Sequence, residues 1–171
     1  RLVTAGLVDA HIHLDKALLS SQAPSLEGSL AEAIRVTGAA KRGFTVDDIR
    51  ARARVVLDLA VRSGTTAMRS HVEVDTIVGL KGLEALRPLR DEYAPALELQ
   101  LCAFAQEGII QAPGTEALLG RALREGADLV GGCPYNDTDP HAHVDTIFRL
   151  AREFGVDVDF HADFFDEPEH L

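Results

Sequence analysis

Thr4-Ala-Gly-Leu-Val-Asp-Ala-His-Ile-His-Leu-Asp15 is the first of five apolar runs that have the composition of β-strands. The other four runs cover residues 65–75, 98–107, 128–135 and 157–164. Between them lie segments with helical spacing, at residues 30–40, 46–63, 78–92, 115–125 and 141–154. This alternation of strand and helix predicts a parallel sheet with right-handed crossover connections.

Two architectures are built from repeated βα units: an open doubly wound sheet and a closed eight-stranded barrel. The open sheet favours a glycine-rich phosphate loop, but the chain has neither GxGxxG after its first strand nor GxxxxGK[ST] anywhere. A barrel places catalytic residues at the strand C-termini and typically needs about 250 residues. We therefore predict an α/β fold, a (β/α)8 TIM-type barrel of which only about the first five βα units are present. Residues 1–171 would then be the N-terminal part of a catalytic barrel, an incomplete domain.

Strand parity indicates which side chains point into this barrel, because successive side chains on a strand point to opposite faces. One face gathers the ionisable and polar groups: Asp9, His11, His13, Arg69, His71, Glu73, Asp75, Gln100, Gln106, Asp157, Asp159, His161 and Asp163, together with Cys102 and Phe104. The opposite face of each strand is apolar. Parallel sheets seldom leave a face open to solvent, so we predict that the polar set lines a barrel interior. A solvated sheet face is the alternative.

Charge and composition limit the partners of the chain. Its formal net charge of -10 repels phosphate backbones and anionic lipid headgroups, so neither nucleic acid nor a membrane is an expected partner. No run approaches the roughly 18 apolar residues that a spanning helix needs. Cys102 and Cys133 are too few for a disulfide framework and favour reduced thiols. We expect a cytoplasmic protein.

His11 and His13 predict a metal site at the end of the first strand. They lie two positions apart on one face, with Cα atoms roughly 6.5 Å apart, and His161 lies at the corresponding end of the fifth strand. Neutral imidazoles suit Zn and Fe, and a hydrolytic metal keeps an open position for water. A lone HxH pair is structural or accidental about as often as it binds a metal, but the position at the end of a strand favours metal ligands. Asp9 and Asp163 could orient these imidazoles, and for Asp9 a structural role is preferred.

The segment Gly6-Leu-Val-Asp-Ala-His-Ile-His-Leu-Asp15 resembles the first-strand signature of the metal-dependent amidohydrolase superfamily. Four later segments resemble, in order and spacing, its cytosine-deaminase branch: Arg69-Ser-His-Val-Glu-Val-Asp75, Ala103-Phe-Ala-Gln-Glu-Gly-Ile109, Ala127-Asp-Leu-Val-Gly-Gly-Cys-Pro134 and Asp159-Phe-His-Ala-Asp163. The resemblance spans nearly the whole chain, and it implies the same barrel that strand parity indicates.

The resemblance implies that His11, His13 and His161 bind one divalent ion, Zn or Fe. It also implies that Gln106 hydrogen-bonds the amide edge of a heterocyclic substrate, since a side-chain amide offers both donor and acceptor. The alternative for Gln106 is a polar loop residue. The superfamily's bridging lysine has no counterpart at residues 130–133, which favours one metal over two.

Four other polar residues have two interpretations each. His71 is a candidate substrate-binding residue or a buried histidine bonded to Glu73 or Asp9. Lys16 could meet an acidic substrate group or pair with Asp15. His141 and His143, near the start of a helix, are interpreted as solvated residues of its cap region rather than as ligands.

The chain departs from the family pattern at its proton shuttle. The branch usually has a glutamate three residues after the fifth-strand histidine, where this chain has Phe164. A phenyl ring cannot exchange a proton, and the loss of general acid–base help typically costs about 10²- to 10⁴-fold in rate. Asp163, Asp166 and Glu167 remain the candidates for a catalytic role. Family members also supply a histidine from the sixth strand and an aspartate from the eighth, which we expect beyond Leu171.

The sequence therefore predicts a metal-dependent hydrolase that cleaves a C–N bond of a cyclic amidine, amide or amino-substituted heterocycle. Metal-bound hydroxide would attack an sp² carbon while Gln106 orients the ring. Amide hydrolysis without deamination is a second hydrolase hypothesis, favoured by Phe164. The competing class is a noncatalytic or degenerate relative that binds metal or a heterocycle. The expected partner is a small heterocycle, and we expect a homo-oligomer for the full-length protein.

Overall fold

The computed structural model describes residues 3–21, 24 and 26–162. Its five strands are β1 (Leu7–Ile12), β2 (Thr65–Glu73), β3 (Glu98–Ala105), β4 (Leu129–Gly132) and β5 (Asp157–Phe160). Its α-helices are α1 (Leu30–Ala40), α2 (Val46–Arg62), α3 (Lys81–Tyr93), α4 (Thr115–Arg124) and α5 (Pro140–Phe154). All five strands are parallel and lie in the order β1-β2-β3-β4-β5. The predicted βα succession is confirmed.

The strands end earlier than the apolar runs suggest. β1 ends at Ile12 because the next residues form a 3₁₀ turn, in which the Leu14 N–H donates to Ser70 Oγ at 3.1 Å. β2 ends at Glu73 because Asp75 Oδ1 accepts the N–H groups of Ile77 and Val78 and so turns the chain. The polar residues that follow the strands therefore lie at the carboxyl-terminal edge of the sheet rather than within it.

The outer face of the sheet carries the main apolar core. Side chains of the strands pack there against the helices in one buried cluster that includes Met68, Val72, Leu99, Leu101, Val130, Leu57, Leu86, Leu119 and Ile147. A much smaller buried cluster, of Cys102, Phe104, Leu129 and Cys133, lies apart from it. The predicted separation of an apolar face from a polar face is confirmed, except that Cys102 and Phe104 make part of the inner face apolar.

The sheet curls so that its two edge strands approach each other across the inner face. In a flat sheet β1 and β5 would lie about 19 Å apart, which is four strand spacings. Instead the rings of His11 and His161 stack with their centroids 4.6 Å apart. Arg69 of β2 also donates to Asp159 of β5 at 2.8 Å. The five strands therefore form a curled half-barrel with polar side chains inside.

Two glycines in β4 allow close approach of neighbouring groups. A Cβ atom on Gly131 would lie 1.9 Å from the carbonyl oxygen of Asp159, and one on Gly132 would lie 2.0 Å from His143 Nε2. Larger residues would thus displace β5 or α5.

Within the described part of the chain, no helix combines the length and apolarity needed to cross a membrane.

Candidate active site

Four histidines meet at the carboxyl-terminal edge of the inner face. His11 lies on β1, His13 directly follows it, His71 lies on β2 and His161 directly follows β5. One ligand nitrogen from each lies within 4.8 Å of the others. The ring centroids are 4.5 Å apart for His11 and His71, and 5.3 Å apart for His13 and His161. The structure thus brings together the three histidines predicted as ligands and adds His71 to them.

The chemistry of this cluster fits a divalent cation. Nδ1 of His13 and Nε2 of His161 are buried and have no hydrogen-bond partner among the described residues. Leaving a buried polar atom unsatisfied costs about 1–3 kcal/mol. Imidazole nitrogens are good ligands for Zn and Fe, and a cation at this position would satisfy them.

Burial keeps these imidazoles in the form that binds metals. Burial, together with the neighbouring histidines and Lys16, lowers the pKa of His13 to about 2 and that of His161 to about 4. The pKa of His71 is also lowered, chiefly by burial. Metal binding needs neutral imidazole, so at neutral pH these three side chains are ready to bind a cation without first losing protons.

Asp159 is the acidic neighbour of His71, so the prediction of Glu73 or Asp9 as its partner is wrong. Oδ1 of Asp159 lies 3.3 Å from His71 Nε2, while its Oδ2 accepts a hydrogen bond from Arg69. Burial alone would raise the pKa of Asp159, but the Arg69 guanidinium and His71 hold it below its ordinary value. Asp9 instead accepts the backbone N–H of His11 at 3.1 Å, in keeping with the structural role preferred for it.

A cavity of about 420 Å³ opens in front of the histidines. Its other walls come from several segments: Lys16, Leu19, Ala33, Thr37, Glu73, Gln106, Glu107, Tyr135 and Asn136. Gln106, the predicted substrate-binding residue, lines this cavity, and its main-chain carbonyl accepts a hydrogen bond from Asn136 Nδ2 at 2.9 Å. Phe104 packs behind the cluster, with its ring centroid 4.4 Å from that of His161. The cavity therefore joins the histidines to the predicted substrate-binding amide.

Lys16 pairs with Glu73 and not with Asp15, so that expectation is wrong. Its Nζ lies 3.3 Å from Glu73 Oε2. Asp15 is turned inward instead, where its Oδ2 accepts the Glu73 N–H at 2.9 Å and burial raises its pKa to about 6. Lys16 therefore lines the cavity with its positive charge already neutralised by the Glu73 carboxylate.

The three catalytic candidates, Asp163, Asp166 and Glu167, lie outside the described residues, as does Phe164. The proton-transfer group therefore stays a prediction from the sequence. His141 is exposed on α5, as expected.

The interpretation of His143 as a solvated residue is wrong. Its side chain is fully buried, and Nδ1 lies 2.8 Å from Asp137 Oδ2. Ile147, Leu150 and Ala151 of the same helix are also buried. These positions are four, seven and eight residues after His143, which is the spacing of one helix face. The periodicity that predicted α5 therefore already indicated where His143 lies.

Replacing His143 with asparagine should make the free energy of unfolding depend less steeply on pH in acid. Burial lowers the folded-state pKa of His143 below 6.5 despite the Asp137 carboxylate. Its contribution is therefore complete above pH 6.5, and it is lost as the pH falls through the folded-state pKa. His143→Asn keeps a donor but does not titrate, so the free energy of unfolding below pH 6.5 should fall less steeply, by at most about 1.4 kcal/mol per pH unit. Denaturant titrations across this range measure the slope, and equal slopes would contradict the prediction.

Lys41 is the main feature of the site that the sequence analysis missed. Its side chain is 1% exposed, and Nζ donates to Glu73, Asp75 and Glu107. These partners lie 32, 34 and 66 residues further along the chain, so no local pattern points to them. The positions of Ala33 and Thr37 at the cavity had no sequence signal either.

The clustered histidines lie at the carboxyl edge of parallel βα strands, which is where TIM-barrel enzymes place their active sites. Comparison with known proteins agrees: over its matched length, the chain is a relative of the amidohydrolase superfamily, in the cytosine-deaminase-like branch. No family model matches the chain. The superfamily is metal-dependent.

Three relatives illustrate the similarity. The N-isopropylammelide isopropyl amidohydrolase of Pseudomonas sp. (strain ADP) is 30% identical, covering 94% of this chain and 41% of that protein. The pterin deaminase of Rhizobium rhizogenes is 26% identical, and the match covers 99% of this chain and 39% of that protein. The crystal structure of 5-methylcytosine deaminase from Klebsiella pneumoniae liganded with 5-fluorocytosine has a TM-score of 0.88 and 35% identity, and the match covers 96% of this chain and 40% of that chain. The chain thus spans about two fifths of the length of these relatives.

Proposed function

We propose that the protein containing this chain is a metal-dependent hydrolase that cleaves a C–N bond of a cyclic amidine, amide or amino-substituted heterocycle. The observation that carries the proposal is the convergence of four histidines, three of which line a cavity that also contains Gln106. The names of the relatives, which include an amidohydrolase and deaminases, support the same class of reaction.

In this proposal His11, His13 and His161 hold one divalent ion, Zn or Fe, and His71 lies beside it. A bound cation of this kind supplies a water that is acidified toward neutral pH. Asp159 faces His71 across the inner face, with its Oδ1 3.3 Å from His71 Nε2. Arg69 in turn holds Asp159 through Oδ2.

Gln106 orients the heterocycle. Its amide offers one acceptor and two donors, which complement the alternating donors and acceptors on a ring amide or amidine edge. The Asn136 hydrogen bond to its carbonyl fixes the backbone from which that side chain projects. A cavity of about 420 Å³ is of the size that binds small molecules, about 300–1,000 Å³.

Proton transfer is assigned to Asp163, Asp166 or Glu167, the carboxylates that follow His161 closely in the sequence. The homo-oligomeric state, the cytoplasmic location, the absence of nucleic-acid partners and the assignment of residues 1–171 to the N-terminal part of a barrel also stay predictions.

The function is tested on the whole protein in which this chain occurs. Ammonia release and ring opening are measured over a panel of aminopyrimidines, pterins, hydantoins and N-acyl compounds, before and after metal is stripped with a chelator. We expect turnover of at least one heterocycle, its loss on stripping and its return with Zn or Fe. Ring opening without ammonia would identify amide hydrolysis. Calorimetric binding of a heterocycle with no turnover across the panel would instead support the noncatalytic alternative, which the Phe164 position favours.

A further inference from the structure

The ammonium of Lys41 is buried beside two residues that line the cavity, Glu73 and Glu107, and makes three hydrogen bonds. Nζ donates to Glu73 Oε1 at 2.8 Å, Asp75 Oδ2 at 2.6 Å and Glu107 Oε1 at 2.9 Å. An ammonium has three N–H donors, so its hydrogen-bonding capacity is fully used. Burial alone would lower the pKa of Lys41, but the three carboxylates raise it above its ordinary value. Lys41 therefore carries a positive charge throughout the neutral range.

This one side chain joins three segments that line the cavity. Lys41 directly follows α1, whose residues Ala33 and Thr37 lie one turn apart on the cavity wall. Glu73 ends β2 and lines the cavity itself. Glu107 follows Gln106, so the third hydrogen bond holds the segment from which the substrate-binding amide projects. The bonds of Lys41 thus connect α1, β2 and the end of β3 at the same point.

The apolar residues on either side of Lys41 pack in a different place from its ammonium group. Ala40 and Phe44, on either side of it in the chain, pack into a buried cluster with Leu19, Ile49 and Val78. Lys41 points away from such packing toward the carboxylates, although burying a charge is unfavourable unless it is paired. The polar bonds therefore fix the positions of Glu73 and Glu107 on the cavity wall, to which the apolar cluster contributes Leu19.

Glu73 is held from both sides. Its Oε1 accepts from Lys41 and its Oε2 lies 3.3 Å from Lys16 Nζ. Both carboxylate oxygens of Glu73 are therefore engaged by ammonium groups, and this side chain shapes the wall of the cavity. Removal of Lys41 would free Glu73 and Glu107 to rotate into the space that the heterocycle occupies.

We propose that Lys41 is a positioning residue for substrate binding, which holds α1, Glu73 and the Gln106–Glu107 segment as one wall around the heterocycle. Its kinetic consequence rests on the proposed hydrolase function. Because Lys41 contacts neither the histidines nor the open face of the cavity, its loss should weaken binding of the ring and leave the metal in place.

The kinetic test compares Lys41→Met with Arg42→Met in the whole protein. Arg42 is exposed and adjacent, so the control removes the same charge from the same segment. We expect Lys41→Met to raise KM about 10-fold with kcat and bound metal nearly unchanged, Lys41→Arg to recover most of the loss, and Arg42→Met to have no effect. An unchanged KM, or parallel losses of kcat and bound metal, would overturn the proposal.

Two further measurements keep the test decisive. Glu107→Leu removes the acceptor and so cuts the bond to the Gln106 segment without removing the buried charge of Lys41, and it should raise KM in the same way even if Lys41→Met fails to fold. Hydrogen exchange of unliganded protein needs no turnover: Lys41→Met, or Glu107→Leu in its place, should accelerate exchange at residues 106–111, and Lys41→Met also in α1, with α5 unchanged. A wild-type protein without turnover would refute the hydrolase function alone, whereas unchanged exchange would refute the role of Lys41.

Discussion

Replacing His11 with alanine should remove the bound metal and lower turnover by more than about 100-fold. Residues that merely orient metal ligands typically cost about 10- to 100-fold in affinity or activity when they are lost, so a ligand itself should cost more. His11 also lies at the centre of the cluster, with ring centroids 4.5 Å from His71 and 4.6 Å from His161. Metal content per chain and the rate of heterocycle hydrolysis measure the two effects.

The matched control for this variant is His141→Ala. His141 is exposed on α5 and belongs to no metal-binding group in the described part of the chain. It should therefore leave both metal content and turnover unchanged. If His11→Ala keeps its metal and its activity, then the cluster is not the catalytic metal site and the proposed function is wrong.

The histidine cluster could be anticipated from the sequence because two simple periodicities determine it. Alternation along β1 places His11 and His13 on one side, and the βα succession brings all carboxyl strand ends to one edge. His161 follows the last strand of the same sheet. The histidines of β1 and β5 come close to each other only if the sheet curves. Of the sequence-based predictions, only the barrel hypothesis required that curvature.

Contacts between distant polar residues were less predictable. The spacing of α5 indicated that His143 is buried, yet its position near the helix cap favoured the wrong interpretation. Nothing in residues 30–43 indicated that Lys41 meets three acids at and beyond the ends of β2 and β3, because these acids lie 32, 34 and 66 residues away in the sequence. Lys16 shows this ambiguity: Asp15 is adjacent in sequence, but Glu73 is its partner in space. Patterns of hydrophobicity specify which face is buried, whereas ion pairing depends on the tertiary positions of loops.

Asp137 holds the loop that carries the predicted substrate contact. Its carboxylate accepts the backbone N–H groups of Ile109 and Ile110 through Oδ2, and those of Gln111 and Thr138 through Oδ1. It also lies 2.8 Å from His143 Nδ1. Burial opposes the charge, but these donors lower the pKa of Asp137 to about 2. The carboxylate is therefore ionised at neutral pH, and its contribution to stability is lost only as the pH falls from 3.8 toward 2.

Replacing Asp137 with alanine should lower the free energy of unfolding by about 3 kcal/mol or more. Each buried donor left unsatisfied costs about 1–3 kcal/mol, and the Ile109 amide and the His143 imidazole both lose their acceptor. Asp145→Ala is the control, because Asp145 is exposed on α5 and its loss should change stability by less than about 0.5 kcal/mol. Chemical denaturation measures both variants. Because the same carboxylate fixes residues 109–111 just after Gln106, a folded Asp137→Ala protein should also bind heterocycles more weakly. Unchanged stability and binding in this variant would show that the loop is held in place without Asp137.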